Sequence, residues 1–206
     1  MLTIWGRNNS TNVKKVLWCA EEIGLSYEWI PAGGSFGGTG DAAYRAMNPT
    51  GLVPTIRDGD FVLWESNAIV RYLASRYASG TLAPESPTER GGADRWMDFA
   101  STSLAAPFRD VFWGLIRTPP DKRDMTAIHS GQEKCASVFA IADRALSTQP
   151  WFSGAAFGMG DIPLGCFAYA WFEMPIERPD LPHLAAWYSR LTEREAFRKA
   201  VMIGLS

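Results

Sequence analysis

The chain has 206 residues, a formal net charge of −2 and 47% hydrophobic residues, which allows a sizeable core and excludes the basic footprint of a nucleic-acid binder. No run of about 18 apolar residues occurs, and the N-terminus "MLTIWGRNNS" lacks the apolar core of a signal peptide, so no membrane association and a cytoplasmic location are expected. Cys19, Cys135 and Cys166 stand far apart with no CxxC pair, which signals neither a disulfide framework nor a metal site.

Residues 2–5 ("LTIW") read as a short buried strand. In "STNVKKVLWCAEEIGL", Val13, Val16, Leu17, Ala20 and Ile23 recur at helical spacing, and Gly24 stands where a C-terminal cap glycine belongs. "SYEWIP" reads as a second strand, which makes a right-handed βαβ unit with parallel strands. "AGGSFGGTG" carries five glycines in nine residues and predicts a mobile loop, followed by a short helical turn around "DAAYRAM". "TIRDGDFVLW" is two strands joined at Asp58-Gly59, a hairpin signal, and "ESNAIVRYLASRY" repeats Ile69, Leu73 and Tyr77 at helical spacing. The order is therefore βαβαββα with a mixed sheet over residues 1–77.

"ASGTLAPESP" shifts to small residues and proline and predicts a linker at 78–87. Residues 88–206 read as all-helical, with patterns over about 88–117, 121–147, 161–174, 181–190 and 192–203 punctuated by "RTPPD" and "RPDLP". The fold class is an α/β domain followed by an all-α domain.

Three local features point to a ligand. In "NPTGLVPTI", Pro54 enters a strand without an N–H to give, so it is expected on a sheet edge or at a bend, with Val53–Pro54 cis. Such a bend would turn the N–H and C=O of Val53 toward solvent, as a rim for an extended peptide. In "WESNAI", Glu65 could receive an ammonium while Ser66, at a helix start, favours a carboxylate; together they suit an α-amino-acid head group. In "RNNSTNVKKV", hydroxyl and amide side chains including Ser10 and Asn12 open the first helix beside that loop. Each has a plainer explanation: Ser10, Thr11 or Ser66 as a simple N-cap, Pro54 as an ordinary turn. Their joint occurrence is harder to explain that way. His129 and His183 lie in polar or proline-flanked contexts and read as surface groups, and Cys19 reads as a buried structural residue. Phe108, Phe112 and Trp113 in "AAPFRDVFWGLI", with Phe36 in the glycine-rich loop, suit an apolar pocket, although aromatics at helical spacing more often belong to a core.

With these motifs in order, the chain resembles the soluble glutathione S-transferases across essentially its whole length, carried by "NPTGLVPTI", "WESNAIVRYL" and "GMGDIPLG". The resemblance implies a thioredoxin-like N-terminal domain that binds glutathione as co-substrate, a helical domain supplying a site for a small hydrophobic electrophile, and a homodimer. It implies that Val53, beside cis Pro54, pairs with the cysteinyl backbone, and that Glu65 and Ser66 hold the γ-glutamyl group. Ser10 then faces the thiol, as in serine-type bacterial-like members, with Asn12 as a rival or second donor. The function implied is transfer of glutathione to an electrophile; a glutathione-dependent isomerase, a thiol reductase or a non-catalytic interaction module of the same fold are the alternatives. A reductase would want a cysteine at position 10. Two departures stand out. Residues 32–40 contain no Lys, Arg or His for the glycine carboxylate, which leaves Arg45 to reach inward, and Gly158 stands where the family commonly has Ser or Thr three residues before Asp161. Asp161 is expected to cap a core helix, and Arg71 to meet an acidic residue such as Asp98 across the dimer.

Overall fold

Ile4 lies fully buried in the middle of the first strand, β1 (Leu2–Trp5), and fixes which face of the sheet meets the helices. The first helix, α1 (Thr11–Ile23), stops at Gly24, whose φ of 74° lets its N–H bond Glu21 C=O while Leu25 N–H bonds Ala20 C=O. β2 (Tyr27–Ile30) runs parallel to β1. After α2 (Ala42–Met47), β3 (Thr55–Asp58) and β4 (Phe61–Trp64) form a hairpin, and α3 (Ser66–Tyr77) follows. The sheet order is β2-β1-β3-β4, with β3 antiparallel to both neighbours, so the expected mixed βαβαββα arrangement is present in a computed structural model that describes residues 1–206.

One expectation is narrowed here and another changes. Of the two places expected for Pro54, a sheet edge or a bend, the structure gives the bend, because β3 is an interior strand. The proline occupies the bend one residue before the ladder begins at Thr55–Trp5, where a missing N–H costs no strand hydrogen bond. The glycine-rich stretch also holds regular structure: Gly34–Phe36 makes a 3₁₀ turn closed by Gly33 N–H to Gly37 C=O at 2.7 Å. Positive φ at Gly33, Gly34 and Gly37 makes that turn possible.

Pro87, at the first position of α4 (Pro87–Phe99), opens a helical rod that continues to Arg117. It is not uniform. A π-helical stretch over Ala100–Leu104 precedes α5 (Ala105–Phe112), and a second occupies Trp113–Arg117. Pro107 lacks an N–H and its ring would clash with the carbonyl four residues back, so the widened turn just before it accommodates the proline without ending the rod. α6 (Met125–Leu146) packs on α5 through Gly131, where a Cβ would come within 2.9 Å of the Pro107 carbonyl oxygen. α7 (Asp161–Glu173), buried from Asp161 through Trp171, forms the centre, with α8 (Pro182–Thr192) and α9 (Glu195–Ala200) beyond it. Arg71 donates to Asp94 Oδ1 at 2.6 Å and to Asp98 in the same chain, so these two ion pairs tie α3 to α4 within one molecule.

One continuous cluster of 44 buried residues spans the sheet side and the helical side. Trp18 joins them. Its ring stands 4.7 Å from Phe197 and 5.4 Å from Phe157, and it fills the notch left by Gly165 on α7.

Candidate active site

Ser10 has the extended backbone of an N-cap residue at α1, yet its hydroxyl makes no capping bond. The plain N-cap explanation for this side chain therefore has no hydrogen bond behind it, and the hydroxyl is available to a ligand. Two residues further on, Asn12 Oδ1 accepts from Lys15 Nζ at 2.9 Å and from Ser66 Oγ at 3.2 Å.

The loop carrying Val53 is held from behind by a buried polar network. Tyr44 Oη donates to Leu52 C=O at 2.6 Å and meets Thr55 Oγ1 at 2.8 Å, while Asn48 Nδ2 donates to the same two acceptors at 2.9 and 3.0 Å. Asn48 Oδ1 in turn takes the N–H and hydroxyl of Thr50, which folds the "NPTG" turn. With Leu52 tied down and Val53–Pro54 cis, the N–H and C=O of Val53 have no hydrogen-bond partner in the chain.

These pieces meet in a cleft of about 560 Å³ lined by Ser10, Asn12, Val53, Phe108, Phe112 and Trp113, with Leu52, Ser101 and Phe167 completing the wall. Phe108 and Phe112 are buried and stack with ring centroids 5.9 Å apart, whereas Trp113 is half exposed at the mouth. Glu65 and Ser66 do not line this cleft directly; Ser66 is joined to it through Asn12. Glu65 is exposed at the start of α3 with φ 72°, the one non-glycine residue at positive φ, a conformation that costs roughly 1–3 kcal/mol and concentrates at ligand sites. Phe36 is 56% exposed on its 3₁₀ turn and lies outside the cleft lining. Arg45 does not reach inward: its Nη1 donates to Pro49 C=O at 2.8 Å, and the guanidinium packs beside Gly51.

Sequence reasoning passed over the cleft's cations. Arg7, Arg109 and Arg117 line it and no carboxylate does. Burial lowers the pKa of Arg7, and burial together with the Arg7 charge lowers that of Arg117. Arg7 packs against Gly34, where a Cβ would fall 2.9 Å from its Cδ, so the glycine admits the guanidinium stem into the cleft. The arginine beside the "NNSTN" cluster was the available signal. Lys15 was missed because a lysine next to another lysine reads as a solvated face. Cys19 is fully buried and burial pushes its thiol pKa up, which suits a structural role, and both histidines are exposed.

Residues 6–85 match the family model described as glutathione S-transferase, N-terminal domain, and residues 99–195 the one described as glutathione S-transferase, C-terminal domain. The chain is 50% identical to glutathione S-transferase GstB of Escherichia coli strain K12 over 208 residues, covering all of both chains. It superposes with a TM-score of 0.97 and 57% identity on a theta class glutathione S-transferase of Xanthomonas axonopodis pv. citri crystallised with glutathione bound, over 100% of this chain and 99% of that one. Against the apo form of the same enzyme the TM-score is 0.88.

Proposed function

The chain belongs to the glutathione S-transferase family and is a glutathione transferase; on that premise we propose how its residues divide the work. Glutathione lies extended along the Val53 rim, its cysteinyl amide and carbonyl bonding the free C=O and N–H of Val53 beside Pro54. The γ-glutamyl ammonium meets Glu65, and its carboxylate meets the Ser66 hydroxyl and the first N–H groups of α3. Ser10 and the Asn12 amide then donate to the sulfur.

A thiol near pKa 8.5 is mostly protonated at neutral pH, and the thiolate is the nucleophile. A hydrogen bond to a charged group contributes about 1.5–3 kcal/mol, enough to lower the thiol pKa by roughly one to two units when it favours only the anion. The positive end of α1 adds to this. The sulfur lone pair then forms a bond to the electrophilic carbon, and the leaving group departs with its electron pair. Phe108, Phe112 and Trp113 form the apolar wall for a small hydrophobic electrophile, and Phe36 is assigned the outer rim.

The observation that carries this reading is that the uncapped Ser10 hydroxyl, Asn12 and the unpaired Val53 backbone line the same cleft. The proposed division into 1–77, a linker at 78–87 and 88–206 draws support from the end of α3 at Tyr77 and from α4, whose first residue, Pro87, is the last of the proposed linker. A homodimer is supported by the apolar strip of Phe99 and half-exposed Ile141, and a cytoplasmic location accords with the lack of any helix long and apolar enough to cross a membrane. Calorimetric titration with glutathione, paired with ultraviolet titration of the bound thiol in wild type and Ser10→Ala, tests the reading. Binding with a depressed thiol pKa that Ser10→Ala partly restores is expected. Intact binding with an unaltered shift in Ser10→Ala would remove Ser10 from the chemistry.

A further inference from the structure

Lys15 lies on the second turn of α1 with 1% of its surface exposed, a position where an ammonium is costly unless something holds it. It forms no ion pair. Its one hydrogen bond runs to Asn12 Oδ1 at 2.9 Å, and the Phe167 ring centroid lies 5.1 Å from Nζ. A lysine ammonium has donors and no acceptor, so the edge of Asn12 that faces it must be the amide oxygen. Ser66 Oγ donates to the same oxygen at 3.2 Å. The two donors fill both acceptor positions of Oδ1, and the Asn12 NH₂, which bonds nothing in the chain, is the edge left for the cleft.

We infer that Lys15 is a positioning residue for the transfer reaction, locking the Asn12 amide so that its NH₂ edge, and not its oxygen, faces the glutathione sulfur. This rests on the reading that the sulfur lies at Ser10 and Asn12. Ser66 cannot do the same alone. Its hydroxyl has a single proton, and when that proton turns to the γ-glutamyl carboxylate, Asn12 keeps only the lysine. Without Lys15 the amide is free to rotate by half a turn and present a partial negative charge to a developing sulfur anion.

Burial brings the Lys15 pKa down to about 8, while the charge of Glu65 at the start of α3 acts in the opposite direction. Cys166 on α7 is pushed up to about 12, so at neutral pH it is a neutral thiol beside a protonated lysine.

Lys15→Met keeps the unbranched apolar stem of the side chain and removes the ammonium with its donors. The test compares it with wild type in three measurements: affinity for S-methylglutathione, which has no thiol to ionise, the pKa of bound glutathione, and the pH profile of kcat/KM. We expect S-methylglutathione to bind within about threefold of wild type while the bound thiol pKa rises by about one unit, leaving about tenfold less thiolate on the acid side. The acid limb of kcat/KM should move by the same amount, with little change in KM for glutathione, and the two enzymes should converge at alkaline pH. A folded variant whose bound thiol pKa equals that of wild type overturns the inference. If wild type itself leaves the thiol unshifted, the underlying assignment of Ser10 and Asn12 fails, which is a distinguishable result. If the variant does not fold, the Asn12 side-chain amide resonances of wild type decide: they should shift as the bound thiol ionises, and resonances that stay fixed overturn the inference.

Discussion

Trp187 Nε1–H donates to Asp161 Oδ1 at 2.9 Å, and both residues are fully buried. The carboxylate also takes the N–H groups of Phe152 at 2.8 Å, Ser153 at 3.2 Å and Gly158 at 3.1 Å, so it stitches the turn before α7 to α8. Burial pushes the carboxyl pKa up while these donors pull it down. Asp161→Ala strands four donors in the core, and we expect it to destabilise the fold by about 3 kcal/mol or more. Urea unfolding of the variant against wild type gives the number; a loss below about 1 kcal/mol would show that the turn is held by other means.

Gly165, four residues after Asp161 on α7, sets how closely that helix approaches α1. A Cβ on Gly165 would fall 2.7 Å from the Trp18 ring and 3.0 Å from Leu191. The ring is wedged between two other aromatics and has nowhere to go. Gly165→Ala should therefore cost about 1–3 kcal/mol, against the gain in helix propensity that alanine normally brings. Thermal unfolding with a raised midpoint would contradict this.

For ligand binding, Glu65→Gln keeps the size of the side chain and removes the charge assigned to the γ-glutamyl ammonium. The expected result is a rise in the glutathione Kd of about tenfold or more, with the pKa of the bound thiol unmoved, because the change lies at the far end of the tripeptide. Calorimetry gives the Kd and ultraviolet titration of the bound thiol gives its pKa, which separates the two effects. An unchanged Kd would take Glu65 out of the binding site.

Lys14 gives a pH signature of its own. Its Nζ donates to Val201 C=O at 2.9 Å, and burial lowers its pKa from 10.5 to about 8. Between those values the unfolded chain holds a proton that the folded chain has lost, so this residue's contribution to stability rises as pH climbs from about 8 to 10.5. The buried thiols Cys135 and Cys166, both pushed up to about 12, work in the opposite direction. The isolated lysine effect is therefore read as a difference: the urea midpoint of wild type minus that of Lys14→Met should grow from pH 7.5 to pH 10. A difference that stays flat would mean that Lys14 titrates normally.

Much of this was legible in the sequence because the signals were local. The period of α1, the Gly24 stop, the Asp58-Gly59 hairpin and the helical character beyond residue 87 all depend on near neighbours. Which of its two expected places Pro54 takes was not legible, since whether a strand is interior or at an edge depends on β4 pairing outside β3. Arg71 presented a similar difficulty: its acidic partners lie 23 and 27 residues away, and nothing in the spacing tells an intrachain pair from an intersubunit one. The two π-helical stretches and the inward turn of Lys14 and Lys15 also escaped. A lysine pair on an amphipathic helix reads as surface until a second layer is known to cover it.

The position of Trp18 has a consequence for exchanging parts between related chains. Its ring belongs by sequence to the sheet-bearing half, but its neighbours Phe157, Gly165 and Phe197 all belong to the helical half. A chimaera that joins the first half of this chain to the second half of a relative inherits a knob cut for a different hole. Shuffling between the end of α3 and the start of α4 should therefore succeed only when the residues facing Trp18 travel with it, so the junction in the sequence is not the seam in the core.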